Sequence, residues 1–189
     1  MRPVARLRRA YFDSRYGQLH VHQAIPPGGG FDEAVPLLCI PGARGRGRFF
    51  EPLLGPLGAD RSIYALDLPG CGESDGAGAG AEQYALACTD LLDSLRQRQI
   101  DVIAHAEGAD AAIALVKLRP GSLVRRLVLS ASAPAALVAA RQLGLEFREL
   151  ALASAAEEAI PSSLTEAQLA EITGFFGDGA APAQRGAQV

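Results

Sequence analysis

Gln99-Ile100-Asp101-Val102-Ile103-Ala104-His105-Ala106-Glu107-Gly108-Ala109-Asp110 is the stretch on which the reading of this chain turns. Its first half is a short apolar run with a β-branched pair, the pattern of a buried strand. Ala111 to Leu118 follows with good helix formers and stops before Arg119-Pro120-Gly121. The segment therefore predicts a strand, a sharp turn and a helix. Ala104 and Gly108 stand two positions either side of the apex, Ala106. A turn tight enough to lift one side chain over a sheet has no room for bulk at those two places.

Outward from this centre, strand and helix patterns alternate. Val35 to Ile40 is a continuous apolar run, as expected of a strand covered on both faces. It runs into Pro41-Gly42-Ala43-Arg44-Gly45-Arg46-Gly47-Arg48, then Phe50, Leu53, Leu54 and Leu57 at helical spacing, with Pro56 expected to cut the helix short. Ser62 to Asp67 is the next buried strand, closing in Leu68-Pro69-Gly70-Cys71-Gly72-Glu73-Ser74-Asp75. Cys88, Leu91, Leu92 and Leu95 form the inner stripe of an amphipathic helix. Leu123 to Ser130 supplies one more strand. This alternation predicts an α/β fold with a mostly parallel sheet of about six strands and helices on both faces.

Upstream, Tyr11 to Arg15 and Gln18 to Gln23 read as an antiparallel hairpin around Tyr16-Gly17. His20 and His22 share the polar face of its second strand and could pinch a metal. No acidic or cysteine partner stands at a recognisable ligand spacing, so they are read as residues of a solvent-facing edge strand, and no metal or other cofactor is expected. Downstream, Ala135 to Glu158 reads as helical with a weak point at Gly144. Ser163-Leu164-Thr165-Glu166 reads as a capping box for a short helix bearing Leu169, Ile172 and Phe176. The expected organisation is a core over 1–133, a helical lid-like segment over 134–176 and a loose tail over 177–189.

At 189 residues and 49 % hydrophobic, the chain can bury one core, and a net charge of -3 gives no pull toward nucleic acid. The early arginines (Arg2, Arg6, Arg8, Arg9) precede no apolar segment of a secretory signal and read as a solvated arm. No run approaches the ~20 apolar residues that span a bilayer, so no membrane partner is expected. Cys39, Cys71 and Cys88 form no CxxC pair, which points to a reducing, cytoplasmic setting. A single lysine, Lys117, among abundant Arg and Ala suggests a GC-rich bacterial genome.

Ala104-His105-Ala106-Glu107-Gly108 resembles the G-x-S-x-G nucleophile elbow of the α/β-hydrolases. Tyr16-Gly17-Gln18-Leu19-His20, Ile40-Pro41-Gly42 and Asp67-Leu68-Pro69-Gly70-Cys71-Gly72-Glu73-Ser74-Asp75 resemble other landmarks of that family in the right order, so the likeness covers residues 10–133. It implies acyl-transfer or hydrolytic chemistry by a nucleophile, an acid and a histidine. Carried over residue by residue, it makes Ala106 the nucleophile position, here vacant. It makes the backbone N–H groups of Ala43 and Glu107 the oxyanion donors, and sets Gly42 and Cys71 at the pocket mouth. No histidine follows the elbow, and Ser130-Ala131-Ser132-Ala133 stands where an acid is expected. The seventh and eighth strands are not visible in the pattern, as if the chain stopped in or just after a lid.

The reading that results is a degenerate, catalytically silent hydrolase-like domain that binds a small acyl or apolar ligand, or a second copy or another protein through the open edge of its sixth strand. Two alternatives stand beside it. One is an active hydrolase that uses an unusual nucleophile, Cys71 being the best candidate, or a partner chain. The other is a Rossmann-like nucleotide site in the Gly42–Gly47 loop, whose third glycine position is however Phe50. His105, just before the apex, is expected to point away from the pocket and pack.

Overall fold

The computed structural model describes residues 4–29, 34–42, 44–77, 80–153 and 165–177. The strands are β1 (Arg6–Ser14), β2 (Gly17–Ile25), β3 (Leu37–Ile40), β4 (Ile63–Leu66), β5 (Ile100–His105), β6 (Val124–Ser130) and β7 (Glu146–Glu149). The helices are α1 (Glu51–Leu57), α2 (Ala81–Ser94), α3 (Gly108–Leu118), α4 (Pro134–Gln142) and α5 (Glu166–Gly177). All seven strands form one sheet in the order β1-β2-β4-β3-β5-β6-β7. The β1–β2 and β2–β4 pairs are antiparallel, and β3 to β7 are parallel.

The period-2 alternation of the strands divides the core in two. Leu38, Ile40, Leu66, Val102, Ala104, Leu127 and Leu129 face α2, α3 and α4. Leu37, Cys39, Ile63, Ala65, Ile103 and Val128 face α1 and α5. β3, β4 and β5 are buried along their whole length, which is why they read as unbroken apolar runs.

Four expectations need correcting. β2 is not an edge strand: it lies between β1 and β4, and His20 and His22 are only 1 % and 6 % exposed. The basic arm is part of the sheet, because β1 starts at Arg6 and carries Arg6, Arg8 and Arg9 outward on an exposed strand. The edge of the sixth strand is not open, since β7 pairs with it in parallel from Arg126↔Glu146 to Leu129↔Glu149. The sheet thus has seven strands, and residues 146–149, expected to be helical, form the seventh after α4 ends at Gln142 and Gly144 turns the chain at positive φ.

A capping box is present two residues beyond the expected start. Ser163 and Leu164 lie outside the described residues. Thr165 is the cap of α5: its Oγ1 accepts from the Gln168 N–H (3.2 Å), and Gln168 Oε1 accepts from the Thr165 N–H (3.0 Å). At its far end, α5 is gripped by arginines. Arg125 Nη2 donates to Phe176 O (2.8 Å) and Arg126 Nη1 to Phe175 O (2.7 Å), satisfying helix carbonyls that have no partner within the helix.

Candidate functional site

β5 delivers the chain to Ala106 at the carboxyl end of the parallel strands, and α3 leaves from Gly108. Ala106 has φ of 47°, in the left-handed region that costs a residue with a Cβ roughly 1–2 kcal/mol. Its N–H donates to Ser130 O on β6 (2.8 Å) and its carbonyl accepts from Ala109 N (3.0 Å), so the turn is fixed from both sides. Space around it is minimal. A Cβ on Gly108 would come within 2.5 Å of the Ile40 and Pro41 carbonyl oxygens, and one on Gly42 within 3.0 Å of the Ala106 methyl. The geometry is that of a nucleophile elbow, and its apex carries a methyl group.

The other predicted site residues fall as follows. Gly42 lies against Ala106, and Glu107 Oε2 reaches the same spot, 3.1 Å from where a Gly42 Cβ would be. Ala43 lies outside the described residues. Ala104 is fully buried on the α2–α3 face. His105 points to the opposite face, stacked on Phe49 with ring centroids 4.3 Å apart and Nδ1 3.3 Å from Ser130 Oγ. Cys71 is half-buried beneath Gly45, and burial first, then the Asp67 carboxylate, raises its thiol pKa. In the loop that follows Gly42, Gly45 packs on Cys71 and the Gly47 N–H donates to Asp67 Oδ1 (2.6 Å).

A second polar group lies on β2 and the end of β4, three and two strands from β5, or about 14 and 10 Å at ~4.8 Å per strand. His20 Nδ1 and Asp67 Oδ2 are 2.9 Å apart, both residues buried. Asp67 also accepts from the Glu73 N–H (2.9 Å), and a side chain at Gly72 would collide with its carboxylate. Gly72 has φ of 57°, so glycine suits that turn twice over. His22 Nδ1 faces Glu51 Oε1 at 3.3 Å, and burial lowers its pKa against the pull of Asp67. A cavity of about 340 Å³ opens beside the group, lined in part by His22, Glu51, Asp67 and Glu73. Sequence reasoning missed these carboxylates because they stand 29 to 53 residues from the histidines; the Asp67–Asp75 segment was the available signal.

The α/β hydrolase family model matches residues 37–188. No curated protein sequence matches the chain. Among solved structures, the N-acyl homoserine lactonase AidH complexed with N-butanoyl homoserine is 26 % identical, with a TM-score of 0.58 over 67 % of this chain and 46 % of that one. Epoxide hydrolase CorEH is 19 % identical (TM-score 0.60; 68 % and 44 %), and naproxen esterase from Bacillus subtilis 23 % (TM-score 0.58; 68 % and 44 %). The chain thus spans less than half the length of these structural relatives. Sheet order, elbow geometry and the family match agree: this chain belongs to the α/β hydrolase family.

Proposed function

We propose that this chain is a catalytically silent member of its family that acts by binding, with a small acyl or apolar ligand held at the mouth around Gly42 and Ala106. The observation that carries the reading is the methyl group at the elbow apex. Acyl transfer needs a group there that can attack a carbonyl and lose a proton, and alanine does neither. The surroundings support the same reading. Glu107 sets a carboxylate beside Gly42, where the family's chemistry gathers negative charge, and like charge opposes an oxyanion. His105 is occupied under the sheet, and His20 and His22 are held on β2. The raised pKa of Cys71 keeps its thiol protonated at neutral pH, the form that does not attack.

Short-chain activated esters test the proposal. The expected result is no turnover above buffer, together with saturable binding of a short-chain acyl amide followed by amide chemical shifts at Gly42, Ala106 and Glu107. Turnover that survives repurification and disappears when Cys71 or Glu107 is replaced overturns it.

A further inference from the structure

The His20–His22–Asp67 group lies outside the elbow and is idle in any reading of it. One nitrogen of each ring and one Asp67 oxygen lie within 4.8 Å of one another. The two rings meet edge to face with centroids 4.7 Å apart. We propose that His20 Nε2, His22 and Glu73 bind one divalent transition-metal ion of the zinc type, with Asp67 as the positioning residue for His20.

His20 carries the argument. With Nδ1–H donating to Asp67, Nε2 presents a lone pair, the arrangement in which a carboxylate fixes the tautomer of a ligating histidine. That Nε2 is buried and makes no hydrogen bond among the described residues. Such orphaned polar atoms are rare and call for an explanation. Its nearest acidic neighbour is Glu73 Oε2 at 3.8 Å, too far for a hydrogen bond but a span that one ion with bonds of about 2.0–2.2 Å bridges. Glu73 is itself oriented, since Tyr11 Oη donates to Oε2 (2.8 Å) and Asp67 accepts its N–H. Its side chain is 55 % exposed, and an ion at Nε2 would share Oε2 with the Tyr11 hydroxyl.

The donor set selects the metal class. Two imidazoles and a carboxylate suit Zn²⁺ and its neighbours, whereas Ca²⁺ and Mg²⁺ take six or more oxygens, carboxylates and waters among them. Arg9, Arg46 and Arg48 line the same cavity, and Arg9 approaches Glu73 (3.7 Å) and Glu51 (3.9 Å). The three carboxylates Glu51, Asp67 and Glu73 offset these three guanidinium groups.

The test uses the full chain stripped with a chelator and titrated with Co²⁺, then Zn²⁺. One equivalent of Co²⁺ is expected to bind with visible d–d absorption and no thiolate charge-transfer band, to be displaced by Zn²⁺ and to be unaffected by excess Ca²⁺ or Mg²⁺. Glu73→Gln and His22→Gln, each checked for folding by circular dichroism, should weaken binding at least about tenfold, while Cys71→Ser should not. Histidine ring NMR on the unaltered protein needs no variant: Zn²⁺ should shift His20 and His22 and leave His105 in place. Absence of a saturable equivalent, binding unchanged in both variants, or loss in Cys71→Ser overturns the proposal.

Discussion

A Cβ placed on Gly42 would lie 3.0 Å from the methyl of Ala106, so the loop after β3 and the elbow apex pack so closely that one more carbon fits only if its neighbours give by a few tenths of an ångström. The same atom would lie 3.2 Å from the His105 carbonyl oxygen, which the backbone holds rigidly. Gly42→Ala is therefore expected to destabilise by about 1–3 kcal/mol through overpacking, read as a lower urea midpoint at unchanged m-value.

Ala106→Ser supplies a hydroxyl at the apex and nothing to take its proton. General-base assistance accounts for about 10²–10⁴-fold of such reactions, so ester hydrolysis by this variant should stay within about tenfold of the parent chain. A larger gain in kcat/KM would mean that a base reaches the apex.

Asp101 holds two arginines at the start of β5. Its carboxylate accepts from Arg125 Nε (2.8 Å) and Nη2 (2.6 Å) and from Arg61 Nη1 (3.2 Å), and Asp101 is fully buried. Asp101→Asn takes from Arg61, 3 % exposed, its buried charge partner and leaves it the exposed Asp60 (3.3 Å), and should cost about 3–5 kcal/mol by chemical denaturation.

The Arg15–Asp90 pair gives a small pH effect of defined sign. Arg15 donates three times to Asp90, through N, Nε and Nη2, and this holds the Asp90 carboxyl below its ordinary value. A depressed folded pKa adds stability above the unfolded pKa, near 4, and loses it as pH falls through the folded value. Asp90→Asn should thus cost at most about 1 kcal/mol at pH 7, and the difference should shrink as pH falls below the ordinary carboxylate range.

The three thiols should separate by reactivity. Burial pushes Cys88 up to about 12 and Cys39 higher still, while Cys71 is partly exposed. At neutral pH a thiol reagent should modify Cys71 alone, slowly, and the other two only after unfolding, as counted by mass spectrometry.

The elbow and the central strands are legible because their burial is symmetric, which leaves apolar runs and small residues at fixed spacing. β7 is illegible for the opposite reason. Glu146, Arg148 and Glu149 are exposed and charged, as suits the end of a sheet, and only Phe147 packs inward. His20 and His22 mislead because alternation shows which face a residue takes, not whether another element covers it. Their neighbours are Tyr11, Glu51 and Asp67, contacts that only the folded topology brings together. The cap of α5 shows a second, similar signal two residues on, Thr165–Gln168, that the Ser163–Glu166 expectation passes over.

The arginine grip ties the end of α5 to the sheet like a strap. Arg61, Arg125 and Arg126 hold it by two consecutive carbonyls, while Ile172 and Phe176 lie on the face shared with Leu53 and Leu57. Peeling α5 away would expose an oily furrow and three guanidinium groups at once, so the helix should come off as a unit, with its amides exchanging together and ahead of β3 to β5. A chain caught in that half-open state would be sticky, which makes the strap the first place to look when preparations cloud on warming.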